Sequence, residues 1–456
     1  MDTTLQIEPG ALGSERYAQR VNREWVRLLE LLQMNVRYER CQGVELFTDD
    51  GKCILDFLSG YCVHNVGHNH PHVVRALQDE LERCGPAMVQ THVADLAGEL
   101  AEKLCERAGG RLAKAFFASS GSEGVEAAIK FARAHTRRAG ILSAEHGFHG
   151  LTCGALSLMS DKFWSEGFGP LLADTSAIPF GDLAALERKL NTKQFAAFMV
   201  EPIQSEAGVC IPDRNYLPTA ESLCRRYGTL FVLDEVQTGM YRTGPFLAAH
   251  HFGVEPDMVV MAKAMSGGLV PCGAVLMSDA VCNSVYSSLP RAFVHTSTFS
   301  ENSLAMRAAL ATLEVLENEE MGRRALEAGN YFRTRLTDAL RNFEMVKEVR
   351  GVGLLMGIEF RAPSHLHLRI PYQLFGAAHP ALFGQIVVMR LFRDCGFLTQ
   401  ICGNNFLVLK VAPPLVVTDA QLDAFVVAIR DVVELAHAPG TFWSEALGLA
   451  GRAFGG

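Results

Sequence analysis

The chain has 456 residues, 49% of them hydrophobic and 20% charged, with a formal net charge of −8. This composition excludes disorder as the dominant state, and the length is enough to bury a sizeable core without disulfides or metals. The acidic balance also excludes binding to nucleic acid or to an anionic membrane surface that is led by electrostatics.

Such a length suits two to four domains, or one large α/β domain with an appendage. The twelve cysteines stand singly, without a CxxC pair, and many lie in apolar runs. They read as reduced packing thiols rather than a disulfide framework. The opening MDTTLQIEPG lacks the basic-then-apolar order of a signal peptide. No apolar run approaches the roughly 20 residues that span a bilayer. A soluble, cytoplasmic protein is expected.

In chain order, Tyr17, Val21, Trp25, Leu28 and Leu32 recur at helical spacing and predict one helix over 14–32. Short apolar runs broken by Gly60 follow at 53–66, and Pro71 opens another helix. From about 113 to 280, strands expected at 114–118, 197–200, 230–233, 258–261 and 274–277 alternate with helical patterns such as 124–136 and 216–227. That alternation predicts an α/β fold with a large, mostly parallel sheet covered on both faces. Ligands of such sheets bind beyond the carboxyl ends of the strands. A helical connector, 303–316 and onward through 332–340, leads into a smaller α+β unit with elements at 346–360, 383–396, 406–410 and 419–435. Residues 361–379, rich in Pro, His and Leu, read as an irregular surface insertion.

Four pieces carry chemistry. At 119–122 (SSGS), Ser120, Gly121 and Ser122 let backbone N–H groups approach an anion at a helix N-terminus; taken alone, such a turn is more often a plain cap. In LFVLDEVQTG, Asp234 ends a buried run, where a carboxylate needs a cation, a protonated ring nitrogen or a structural salt bridge. In DMVVMAKAMSGG, Lys263 follows a strand; an apolar setting lowers its basicity and suits it to Schiff-base formation, against the alternative of a snorkelling strand-end lysine. In EHGFHG, Phe148 and His149 occupy a Gly-framed turn where an aromatic can stack on a flat ring. An anion cradle, a carboxylate, an imine-forming lysine and a stacking ring together match the needs of pyridoxal phosphate. His64, His68, His70 and His72 fit no common zinc spacing, so no metal is expected. GVGLLMG at 351–357 resembles a dinucleotide fingerprint but lies in a strand pattern without a following helix.

At these residues the chain resembles the class III aminotransferases, fold-type I pyridoxal-phosphate enzymes that include ornithine, 4-aminobutyrate and putrescine aminotransferases. The resemblance runs from LSGYCVHNVGHNHP through FFASSGSEGVEAAIK, EHGFHG, EPIQSEAGV, LDEVQTGMYRTG, DMVVMAKAMSGG and HTSTFSENSLA to VRGVGLLMGIEF and VAPPLVVT. It implies a large cofactor domain at 71–315, a C-terminal small domain at 316–456, and an N-terminal segment, 1–70, joining the small domain and a dimer interface. It implies that Lys263 holds the cofactor and moves the proton, and that Asp234 keeps the pyridine nitrogen protonated. Ser120, Gly121 and Ser122 meet the phosphate, Phe148 (beside His149) and Val236 cover the ring faces, and Gln237 approaches the phenolic oxygen. Thr298 is implied to reach the phosphate of a neighbouring subunit, hence a homodimer with shared sites.

On the substrate side the resemblance implies Tyr61, and Glu206 paired with an arginine near the C-terminus. That arginine is replaced by Lys410, which cannot make a two-pronged carboxylate contact. Glu301 stands where the family usually has glycine and reads as a packing variation or as a group facing the substrate. The expected activity is transamination between an amino donor, such as an amino acid or terminal amine, and an aldehyde or 2-oxo acid. The same fold also carries aminomutases, racemases, decarboxylases and non-catalytic cofactor-binding modules; Lys263 with Asp234 argues for an enzyme.

Overall fold

The computed structural model describes residues 11–89, 91–366, 368–370, 372–373, 379–438, 440, 442–445 and 448. Its largest sheet has seven strands, in the spatial order Leu112–Ala118, Gly273–Ser278, Met258–Met261, Leu230–Asp234, Phe195–Val200, Gly140–Ala144 and Thr175–Ile178. Only Gly273–Ser278 runs against its neighbours; the pairs from Met258–Met261 across to Thr175–Ile178 are all parallel. The central strands are buried throughout because both faces are covered. Phe198, Phe231, Leu233, Val259 and Met261 enter one apolar cluster. Their chain neighbours Ala197, Met199, Val232 and Val260 enter the other, with helix Gly121–Thr136. The period of two along each strand thus supplies both layers.

Two four-stranded sheets complete the chain. In one, Tyr38–Gln42, Glu45–Thr48 and Cys53–Asp56 are joined by Phe397–Leu398, which lies parallel to Cys53–Asp56. In the other, Val346–Val352, Leu355–Phe360, Asn405–Val411 and Gln400–Cys402 are antiparallel. The GVGLLMG stretch is therefore the turn of a hairpin. Helices Ser303–Asn318 and Met321–Leu340 form the expected connector.

One expectation is corrected. The single helix over 14–32 is two, Ala11–Arg20 and Arg23–Leu31. Asn22 is extended and its side chain accepts from Trp25 N at 3.0 Å, so a cap-forming residue ends one helix and starts the next. Tyr17, Val21, Trp25 and Leu28 are exposed on this chain, whereas Val26 and Leu32 are buried. Gly140–Ala144 and Thr175–Ile178 are further strands of the large sheet that the sequence reading does not include. In the region read as a surface insertion, Leu368 is buried while Leu366 and Ile370 are exposed; 367, 371 and 374–378 lie outside the described residues, as does the opening decapeptide. No helix among the described residues is long and apolar enough to cross a membrane.

Candidate active site

The parallel strands all end at one edge, and a cavity of about 650 Å³ opens there. Asp234 is the last residue of its strand and pairs in register with Val260 of the next, three residues before Lys263. Ser120–Ser122 follow Ala118, Glu201 follows Val200, and Phe148 and His149 follow the strand ending at Ala144. All of these line the cavity, together with Val236 and Gln237.

Lys263 opens a short helical turn, Lys263–Ser266, with its own φ at +49°. A non-glycine residue held in the left-handed region stores on the order of 1–3 kcal/mol, and it persists only where packing fixes it. Burial lowers the basicity of its ammonium group, although Cys62, Glu206 and Asp234 act the other way.

Asp234 is buried, accepts from Val236 N at 3.1 Å, and lies 2.8 Å from His149 Nδ1. Burial opposes a charge on His149, but its bond to Asp234 and the nearby carboxylates outweigh that and raise its pKa. Its Nε2 is buried without a hydrogen-bond partner among the described residues. Glu201, next to this pair, accepts from Phe148 N at 3.0 Å and Ser205 N at 3.1 Å. Burial pushes its carboxyl up to about 7.

The helix-cap reading of the SSGS turn holds for one hydroxyl: Ser120 Oγ accepts from Glu123 N at 3.2 Å and caps helix Gly121–Thr136. Ser122 Oγ accepts from Leu151 N at 3.2 Å. That approach requires Gly150, where φ is +119° and an added Cβ would meet Ser122 Oγ at 2.1 Å. At Gly121 an added Cβ would press on both Val236 methyls at 3.1 Å, so the turn lies close against the cavity wall.

Beside the cavity, Lys410 and Glu206 form a buried pair. Lys410 Nζ bonds Glu206 Oε1, lies 3.4 Å from Gln237 Oε1 and sits 4.8 Å from the ring centre of Tyr61. Glu206 Oε2 accepts from Gly403 N at 2.9 Å. Burial raises the Glu206 pKa, but the charge and hydrogen bond of Lys410 outweigh it and hold the carboxyl below its usual range; Lys410 is raised in turn by Glu206 despite its burial. Through Lys410 this group meets the cavity lining at Gln237, and both Glu206 and Lys410 lie close enough to influence Lys263.

Thr298 and Glu301 stand apart. Thr298 is exposed, and Glu301 lines a separate depression of about 620 Å³ with Glu80, Arg83 and Arg307. His68 pairs with Asp56, His70 with Glu319 and His72 with Glu314. The cysteines are all free, yet Cys272 lines the cavity and Cys62 and Cys402 are buried close enough to Lys410 to influence its charge. They lie among the site residues and not merely between them.

Sequence reasoning missed three contributors. Glu201 ends an apolar run just as Asp234 does, and that signal was available. Arg242 is fully buried and binds Asn65, Ser59 and the carbonyls of Leu354 and Pro413. Trp164 donates from Nε1 to Asn404 Oδ1 at 2.6 Å and meets Phe148 edge-on. Neither Arg242 nor Trp164 carries a local signal, since their partners are distant in sequence.

A neutralisable lysine, an anchored carboxylate, an unpartnered buried imidazole nitrogen and a close-packed Ser/Gly turn fit pyridoxal phosphate. The sequence profile of the family Aminotransferase class-III matches residues 30–433. The chain is 35% identical over 451 residues to the aminotransferase PigE of Serratia sp., covering 92% of this chain and 53% of that protein, so it spans about half that relative's length. It is 36% identical to a putrescine aminotransferase of Pectobacterium atrosepticum, covering 87% of this chain and 82% of the relative. The crystal structure of the ornithine aminotransferase of Toxoplasma gondii superposes with a TM-score of 0.82 at 28% identity, over 95% of this chain and 96% of the other. The chain belongs to the class III aminotransferases, fold-type I enzymes that use pyridoxal phosphate to move an amino group between an amine and a carbonyl acceptor.

Proposed function

We propose that Lys263 takes and returns the proton at the reacting carbon, in an enzyme that passes an amino group from a terminal amine or amino acid to an aldehyde or 2-oxo acid. The observation that carries this reading is the meeting of Lys263 and Asp234 in one cavity at the ends of adjacent parallel strands. Bound pyridoxal phosphate supplies a carbonyl that condenses with amines and a protonated ring that absorbs carbanion charge.

Lys263, made less basic by burial, has more of its amine free to accept a proton. Asp234, held in place by His149, would pair with the ring nitrogen of the bound cofactor and favour its protonated form. Gly121 and Ser122 offer donors to the phosphate at the positive end of helix Gly121–Thr136, and Ser120 shapes that turn. Phe148 and Val236 would pack against the faces of the cofactor ring, and Gln237 would serve its phenolic oxygen. Glu206 and Lys410 border the substrate with Tyr61.

The exposure of Thr298, and of the stripe Tyr17, Val21, Trp25 and Leu28, supports a homodimer in which Thr298 serves the partner subunit's site. Twelve free cysteines support a reducing, cytoplasmic setting. Pairing of Phe397–Leu398 with Cys53–Asp56 supports a small domain drawn from both chain ends, 1–70 and 316–456, around a large domain at 71–315. In purified enzyme, Lys263→Ala should abolish amino transfer and shift the visible absorption of the bound cofactor; unchanged turnover would sink the assignment.

A further inference from the structure

We propose that the substrate group lying beyond the reacting carbon is an unbranched apolar chain without a carboxylate, seated on an aromatic wall at the cavity rim. This rests on the reading that Lys263 works on an amine or carbonyl in the cavity.

The wall begins at Phe148, which lines the cavity, and continues through Trp164 (ring centres 5.3 Å apart), Phe163 (4.9 Å from Trp164) and Phe406 (6.2 Å from Phe163). Leu151 lines the cavity too and is 54% exposed, and Phe163 is 67% exposed. Phe148, Trp164 and Phe406 are half-buried and Phe163 is bared at the end of the strip, and exposed apolar surface next to a reactive cavity marks a place that a ligand covers.

The strip is fixed in place. Trp164 has its one polar atom bound by Asn404, and Asn404 Nδ2 donates to His146 O at 2.7 Å. The indole also lies against Gly403, where an added Cβ would meet it at 3.0 Å. Gly403 N binds Glu206, so the strip runs from Phe148 to the edge of the Glu206–Lys410 pair.

Charge argues the same way. Among the described residues, the formally charged side chains lining the cavity are Glu201, Asp234 and Lys263, with no guanidinium. Lys410, close enough to act on Lys263, is paired with Glu206 and fully buried. Within the cavity, a carboxylate on the outer part of the substrate would meet no cation besides Lys263 among the described lining residues and would lose water against aromatic rings. An alkyl chain loses only its contact with water, which favours burial.

The test uses the cofactor-loaded enzyme and the rate at which its visible absorption changes on mixing with propylamine, pentylamine, octylamine or 8-aminooctanoate. The second-order rate constant should rise at least two-fold per methylene, towards the roughly four-fold expected for full burial of a CH₂ group. Octylamine should exceed 8-aminooctanoate at least ten-fold. Phe163→Ser should lower the octylamine-to-propylamine ratio about ten-fold, whereas Val427→Ser, an exposed apolar site on the outer face of helix Asp419–His437, should leave that ratio as it is. Rates independent of chain length, a faster 8-aminooctanoate, or an unaltered ratio in Phe163→Ser would overturn the apolar chain and leave transamination standing. No absorption change with any amine or amino acid would overturn the Lys263 reading beneath it.

Discussion

Replacing Lys410 by methionine removes one partner of a pair that water scarcely reaches: the Lys410 side chain is fully buried and that of Glu206 is 9% exposed. Glu206 keeps the hydrogen bond from Gly403 N, but the cation bonded to it is gone. Breaking a buried pair from one side costs about 3–5 kcal/mol, because the remaining charge stays desolvated. The sign with pH follows from the carboxyl itself. Without Lys410, burial raises the folded-state pKa of Glu206 above its unfolded value. The folded variant then binds the extra proton, and its stability falls as pH rises from about 4.5 through that raised value, by up to about 1.4 kcal/mol per pH unit. Lys410→Met should therefore lose about 3–5 kcal/mol against the parent at pH 8 and clearly less at pH 5. Adding Glu206→Gln should recover most of the loss. Urea unfolding of the cofactor-loaded proteins, followed by tryptophan fluorescence at both pH values, measures this. A loss under about 1 kcal/mol, an equal loss at pH 5 and pH 8, or a double variant no more stable than Lys410→Met would refute the reasoning.

Three further outcomes are expected. Asp234→Asn removes a preorganised charge, leaving His149 without its carboxylate partner, and should lower kcat on the order of 10²–10³-fold in steady-state assays with little change in KM. Gly121→Ala forces a methyl against Val236 and, at about 1–3 kcal/mol for overpacking, should weaken cofactor retention ten-fold or more in equilibrium dialysis. His64 is held down to about 4, first by burial and then by His68, against the pull of Asp56. The unfolded chain therefore binds more protons between pH 6.5 and 4, so the contribution of His64 to stability is intact above pH 6.5 and is lost as pH falls through that window. The loss is about 3 kcal/mol, and a His64→Gln variant should not show it in denaturation curves across the window.

Part of the cavity lining was legible in the sequence because Ser120–Ser122, Asp234 and Lys263 each end or closely follow an apolar run. Asp234 and Lys263 stand at strand ends, and the parallel register brings such ends to one edge whatever lies between them. Glu201 obeyed the same rule and was passed over. What the sequence left dark depends on segments hundreds of residues apart. Trp164 reaches Asn404, Arg242 ties Ser59 and Asn65 to Pro413, and Phe397–Leu398 joins a sheet made of residues 38–56. Local periodicity also carried the helix at 14–32 across Asn22, where side-chain capping prevailed over the apolar spacing. Thr298 illustrates a different limit: within a single chain it touches no part of the lysine cavity, so its implied role rests on a second copy.

Lys263, among the lysines of this chain, is the one that the cofactor meets. Borohydride reduction of the cofactor-loaded enzyme, followed by proteolysis and peptide mass mapping, tests it most directly. One modified peptide is expected, carrying the reduced cofactor's mass on Lys263, and none from Lys263→Ala. Modification of Lys410 or another lysine in the parent enzyme, or the same labelled peptide map from Lys263→Arg, would contradict it.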